Sequence, residues 1–247
     1  MDENILKAAK IYFSYVIEHQ IDTLSEDSLR SVQKIINSGF EKTTIEDIVL
    51  FSDYKRNPKK RIEGAIVVYE GKAYVLFMAT NSKLDWVTNL IFFKKTIPYN
   101  NVRNRKIKVH SGYMKRYTLN SVRTSILLWL AEHKEIKEVV VAGYSMGGGL
   151  SPICAVDVAY NFPDKKVYCF AFAGPRVGNE AFIKSVEKRV EAIHFSYGND
   201  IITKVPPKCF GFRHLTNQVH YGPEKKWWKL SIKEHYPHNL LLPLLKD

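Results

Sequence analysis

Cysteine is scarce in this chain: Cys154, Cys169 and Cys209 are the only three among 247 residues. An odd, widely spaced set builds no disulfide framework. No Asn-x-Ser/Thr acceptor with a permitted middle residue occurs, which removes the usual mark of a glycosylated surface loop. No stretch approaches the roughly 20 apolar residues of a spanning helix. The run Leu240–Leu245 is short and carries Pro243. A leader pattern is also missing at the N-terminus. Asp2, Glu3, Lys7 and Lys10 interrupt it, and the apolar run Ile11–Ile17 contains Ser14 and has no small-residue cleavage site after it. Together these absences set the expectation of a reducing, intracellular, cytoplasmic setting, with membrane association left open.

Acidic residues are missing from one long stretch. None lies between Asp85 and Glu132, where Lys94, Lys95, Arg103, Arg105, Lys106, Lys108, Lys115, Arg116 and Arg123 gather. Lys55, Arg56, Lys59, Lys60 and Arg61 form a second basic cluster, and the formal net charge is +12. A solvated basic surface is the plain reading. Peripheral contact with an anionic membrane is the sharper one, since each Lys or Arg near such a surface contributes about 1 kcal/mol. Nucleic acid is the less favoured polyanion. Trp227 and Trp228, flanked by Lys225, Lys226 and Lys229, suit an interfacial anchor or a buried pair. Nothing in the sequence speaks to oligomeric state.

What is present has globular composition, 45% hydrophobic and 25% charged, without repeats or low-complexity tracts. One domain over residues 1–247 is expected. Ile5, Ala9, Tyr12 and Val16 predict an amphipathic helix. Leu29, Val32 and Ile36 predict a second, opened by Ser25 and closed near Gly39. The period then changes: Ile62–Tyr69 and Ala73–Ala79 read as a hairpin around Glu70-Gly71. Leu119–Leu130 returns to helical spacing. After it come a strand at Val139–Val141, a helix over Gly147–Asn161, a strand over Val167–Phe172, a helix over Asn179–Lys188 and a strand over Ala192–Tyr197. This alternation predicts βαβ crossovers and a largely parallel sheet with helices on both faces.

Gly143-Tyr144-Ser145-Met146-Gly147 reads G-x-S-x-G between an apolar strand and a helix, the context in which that motif presents a serine on a strained turn. The first N–H groups of the helix, beginning with Met146, then face the serine and can hold an oxyanion. Asp200 follows a strand at its carboxyl end, where sites in open α/β sheets form; Asn199-Asp200 is also an ordinary turn signal. His214, His220, His235 and His238 come after it, in the order Ser, acid, His of an α/β-hydrolase. A metal site is the weaker reading and none is expected, since His235-Tyr-Pro-His238 lacks the H-E-x-x-H helical pattern.

Several segments in order resemble the fungal-type, class 3 lipases. The elbow G-H-S-x-G-G corresponds to Gly143-Tyr144-Ser145-Met146-Gly147-Gly148. The family's F-G-x-P-R-V-G-N is similar to Phe172-Ala173-Gly174-Pro175-Arg176-Val177-Gly178-Asn179. Its N-D-x-V-x-x-L-P-P is similar to Asn199–Pro207, its H-x-G-[FY] to His110-Ser111-Gly112-Tyr113, and its F-R-G-T-x-S-x-x-D-W to Phe77–Trp86. The resemblance covers about residues 62–242. It implies an α/β-hydrolase fold, which the N-terminal helices predicted from periodicity precede, and a serine hydrolase cleaving a lipid carboxylic ester without a cofactor or metal. It further implies Asp200 as the acid and the histidine of a terminal H-x-L element as the base. His238-Asn239-Leu240 fits that element better than His235-Tyr236-Pro237. Thr80 takes the oxyanion position beside Met146. Tyr144 in place of the elbow histidine, and Met78-Ala79 in place of Arg-Gly, are departures. Asn81–Phe93, with Leu84, Val87 and Ile91 on one helical face, is expected to be a lid or a packed helix. A non-lipid esterase or acyltransferase, and a catalytically silent lipase-like domain, stand as the alternatives.

Overall fold

The computed structural model describes residues 3–19, 26–43, 47–53, 61–78, 94–96, 106–118, 121–223 and 229–246. Thr80, the segment 81–93, Lys55 to Lys60, Arg103, Arg105, Trp227 and Trp228 lie outside the described residues.

Two helices open the chain, α1 (Glu3–His19) and α2 (Glu26–Asn37). The expected stripe of α1 is buried, but so are Ala8, Ile11, Phe13 and Tyr15. The helix is therefore enclosed on more than one side. In α2, Val32 and Ile35 turn inward and Ile36 is exposed, which rotates the predicted stripe by one residue. Gly39, at φ +82°, stops this helix, because a left-handed C′ residue lets the chain leave the helical path.

A seven-stranded sheet follows. Its strands are β1 (Asp47–Asp53), β2 (Arg61–Tyr69), β3 (Lys72–Phe77), β6 (Glu138–Tyr144), β7 (Lys166–Phe172), β8 (Glu191–Tyr197) and β9 (Gln218–Tyr221). They lie in the order β1-β2-β3-β6-β7-β8-β9. β1, β2 and β3 run antiparallel, and β3, β6, β7, β8 and β9 run parallel. The predicted hairpin is β2–β3, turned at Glu70 (φ 47°) and Gly71 (φ 72°), both left-handed as a two-residue hairpin turn requires. A separate pair, β4 (Lys94–Thr96) and β5 (Lys108–His110), lies apart from the sheet.

The predicted helix over 119–130 begins only at Val122. A separate helix, α3 (Ser111–Thr118), precedes α4 (Val122–Glu132), and the break falls at Ser121, whose φ is 65°. The remaining helices are α5 (Met146–Asn161), α6 (Glu180–Glu187) and α7 (Pro237–Leu244).

The strand period divides the core into two layers. Val139 and Val141 of β6, with Val167 and Cys169 of β7, face α3 to α6. Val140, Ala142 and Tyr144, with Tyr168, Phe170 and Phe172, face α1, α2 and α7. Alternate residues of a strand point to opposite faces, so valine-rich runs suit a sheet covered on both sides. This is the α/β-hydrolase architecture expected from the sequence, and it brings the carboxyl ends of β6 and β8 to the same end of the sheet, with β7 between them.

Candidate active site

Ser145 stands between β6 and α5 with φ 59° and ψ −118°, a conformation that costs a non-glycine residue energy and is held only by its surroundings. The surroundings are specific. Ser145 N–H donates to the Phe172 carbonyl at 2.9 Å, and its own carbonyl accepts from Gly149 at 3.1 Å. Helix and strand pass too close for side chains. A Cβ on Gly143 would sit 2.4 Å from the Gly147 carbonyl carbon, and one on Gly147 would sit 2.3 Å from the Phe77 carbonyl oxygen. Met146 is the first residue of α5, where N–H groups have no partner within the helix.

Asp200 lies in the loop after β8 and is fully buried. One carboxylate oxygen accepts the Ile202 N–H at 2.8 Å. Its other oxygen, Oδ2, lies 2.7 Å from His235 Nδ1. His235 Nε2 lies 2.7 Å from Ser145 Oγ. A carboxylate only accepts, so Nδ1–H donates to Asp200, and Nε2 is left to accept the Ser145 hydroxyl proton.

The base expected from the H-x-L spacing, His238, is thereby corrected. Its ring lies elsewhere: Nδ1 is 3.0 Å from Ser31 Oγ, and Nε2 is 3.4 Å from Lys34 Nζ. The cause is Pro237. It opens α7, a position that suits its fixed φ, and the new helix carries His238 round to face α2. Burial and the Lys34 ammonium push the His238 pKa down. Tyr236 is tied to the same helix, donating its hydroxyl to Asp27 at 3.0 Å.

The loops bearing Asp200 and His235 are laced together. Ser231 N–H donates to the Asn199 carbonyl at 3.0 Å, and the Ser231 carbonyl accepts from Ile201 at 3.3 Å. The Asn199 N–H donates to the Glu234 carboxylate. Arg176 holds the far side of the Asp200 loop. Its guanidinium donates to the carbonyls of Lys204 and Pro206, and its N–H donates to Val205 at 2.8 Å. Behind it, His194 Nε2 lies 2.8 Å from the Gly174 carbonyl, and the His194 and His214 rings approach to 4.1 Å. Burial drives the His194 pKa down to about 4. The motif Phe172–Asn179 therefore acts here as scaffolding. Asn179, for instance, accepts the Phe182 N–H at 3.0 Å as the cap of α6. Glu234 had no sequence signal, because its partner is a backbone N–H brought near by folding.

A strained serine after a parallel strand, hydrogen-bonded to a histidine and through it to a buried aspartate, has the arrangement of a Ser-His-Asp triad on an α/β-hydrolase fold. Comparison with known sequences narrows this: residues 74–210 match the family described as Lipase (class 3), and the chain belongs to that family. A lipase of Rhizopus oryzae is 32% identical over 149 residues, 57% of this chain and 36% of the relative. A secreted mono- and diacylglycerol lipase of Malassezia globosa is 28% identical over 139 residues, 54% of this chain and 45% of the relative. The chain thus spans less than half the length of these curated relatives. In fold, it is similar to the crystal structure of a triacylglycerol lipase from Penicillium expansum. The TM-score is 0.64 at 15% identity, covering 90% of this chain and 80% of that one. The expected cytoplasmic setting is contradicted by the relatives, of which the Malassezia enzyme is a secreted one. The three free thiols are therefore no guide to compartment.

Proposed function

We propose that this chain is a serine hydrolase that cleaves the carboxylic ester of a lipid, an acylglycerol or a phospholipid, through an acyl-enzyme. Ser145 Oγ attacks the ester carbonyl while His235 Nε2 takes its proton. The imidazolium then gives that proton to the departing alcohol. Water attacks the acyl-Ser145 ester with His235 as base, which releases the acid and restores Ser145. Asp200 fixes the imidazole tautomer and stabilises its charged form. The Met146 N–H, with Thr80 as second donor, stabilises the tetrahedral oxyanion. The observation that carries this reading is the pair of 2.7 Å contacts made by one histidine to Ser145 and to Asp200.

The lipid substrate is supported by the family and by relatives such as the Malassezia mono- and diacylglycerol lipase. Peripheral contact with an anionic membrane is supported by the exposed Lys106, Lys108 and Lys115 within the acid-free stretch. The test is fluorophosphonate labelling of wild type and Ser145→Ala, followed by turnover on triacylglycerol, monoacylglycerol, phospholipid and short-chain esters. Labelling of Ser145→Ala at the wild-type rate would end the serine assignment. Turnover of the short-chain ester alone would leave a non-lipid esterase.

A further inference from the structure

Tyr144 is the last residue of β6 and the immediate neighbour of Ser145. Its side chain is buried, 3% exposed, and packs edge-on against Phe13 of α1 with ring centroids 6.4 Å apart. Its hydroxyl donates to the main-chain carbonyl of His235, and the two rings lie 5.4 Å apart, tilted by 40°. The adjoining helix leaves that carbonyl to the tyrosine. The Asn239 N–H goes to the Tyr236 carbonyl, and the His238 N–H goes to Ser31 Oγ. Burial keeps the Tyr144 phenol well above the usual tyrosine range, so it stays protonated and able to donate. The end of β6 and the turn after it therefore meet His235 at two points, through Tyr144 at the backbone and through Ser145 Oγ at the imidazole.

We propose that Tyr144 is a positioning residue: its hydroxyl fixes the main chain of His235 and so holds the imidazole in line between Ser145 and Asp200. The inference rests on the hydrolase reading above. His235 ends a single short turn, Lys233–His235, and a misplacement of about 1 Å can cost roughly 100-fold in rate. A ring without the hydroxyl would keep the packing against Phe13. It would leave the His235 carbonyl buried without its donor.

The experiment compares wild type, Tyr144→Phe, a chain with 4-aminophenylalanine at position 144, and Ser145→Ala. Competent sites are counted by fluorophosphonate titration, and kcat and KM are measured per titrated site on a soluble short-chain ester. Tyr144→Phe is expected to lower kcat on the order of 10-fold, with KM unchanged and the labelling rate falling in parallel. The aromatic amine restores a donor at the same place and is expected to return most of kcat. Wild-type kcat per site in Tyr144→Phe would overturn the inference. So would a Tyr144→Phe chain that does not fold, because the hydroxyl would then serve the fold. If Ser145→Ala still labels and turns over, the hydrolase reading fails and this inference with it. If only Tyr144→Phe behaves as wild type, the hydrolase reading stands and Tyr144 is merely packed.

Discussion

The backbone N–H of Asn199, the residue before Asp200, donates to the side chain of Glu234, the residue before His235. The acid and the base are thus joined twice, once by their own side chains and once by the residues that precede them. Gly198 leaves room for this: a Cβ there would stand 2.5 Å from a Glu234 carboxylate oxygen. Replacing Glu234 by alanine strips a buried N–H of its acceptor, a loss of about 1–3 kcal/mol. Glu234→Ala should unfold at lower urea and show a reduced kcat. Unchanged urea midpoint and turnover would show that the Glu234 contact carries no load.

The two terminal histidines should separate cleanly in kinetics. His235→Ala removes the only imidazole beside Ser145 among the described residues, and turnover should fall by about 10⁴-fold or more. His238→Ala loses its contacts with Ser31 and Lys34, which should cost about 1 kcal/mol of stability and leave turnover within a few-fold of wild type. The reverse pattern in the purified variants would restore the H-x-L assignment.

The elbow sets a steric limit. Gly147→Ala puts a methyl group 2.3 Å from the Phe77 carbonyl oxygen, so α5 must move away from β3. Overpacking of a tight core costs typically about 1–3 kcal/mol, and here the displaced helix begins at Met146. Thermal unfolding and fluorophosphonate labelling should both suffer. A variant with wild-type labelling would mean that the helix moves without disturbing Ser145.

Acid should weaken the fold in a definite window. Burial lowers both His110 and His194 from 6.5 to about 4. In the unfolded chain these rings take up a proton near pH 6.5, whereas the folded chain keeps them neutral down to about pH 4. The unfolded state therefore binds more protons between those values. Stability is complete above about 6.5 and is lost as pH falls towards 4, by up to roughly 3 kcal/mol per ring. The urea midpoint should drop between pH 7 and pH 4.5, and His194→Gln should flatten that slope. A midpoint that stays constant over the range would show the two rings to be charged in the native state.

How much of this was written plainly in the chain varies with the kind of feature. The run from β6 to β8 was legible because two fully covered strands read as valine and aromatic runs, and because glycines mark where α5 crosses β6. Ser145 and Asp200 were legible for the same reason, since each sits at the end of such a strand. The edge strands were not. β1 carries a register shift between Phe51 and Ser52, and β9 has only four residues, none of them fully buried, so neither shows a clear period. His235 and His238 could not be told apart by motif spacing. What separates them is the direction of the chain after Pro237, and the packing of α7 against the sheet and α2 sets that direction. Tyr144 looked like a departure from a family pattern, and its partner is a backbone carbonyl 91 residues further on.

The region matched to the class 3 lipases, residues 74–210, contains Ser145 and Asp200 and stops short of His235. Trimming the chain to that region would keep Ser145 and Asp200 and discard His235, the base of the proposed mechanism. The opposite end is no freer to be cut: Asp27, Ser31 and Lys34 reach the two residues, Tyr236 and His238, that flank Pro237 just beyond the base. A shortened form that keeps Ser145, Asp200 and His235 but lacks the first two helices would strip Tyr236 and His238 of their side-chain partners in α2. On the proposed mechanism, the smallest active piece of this chain is expected to include both of its flanks.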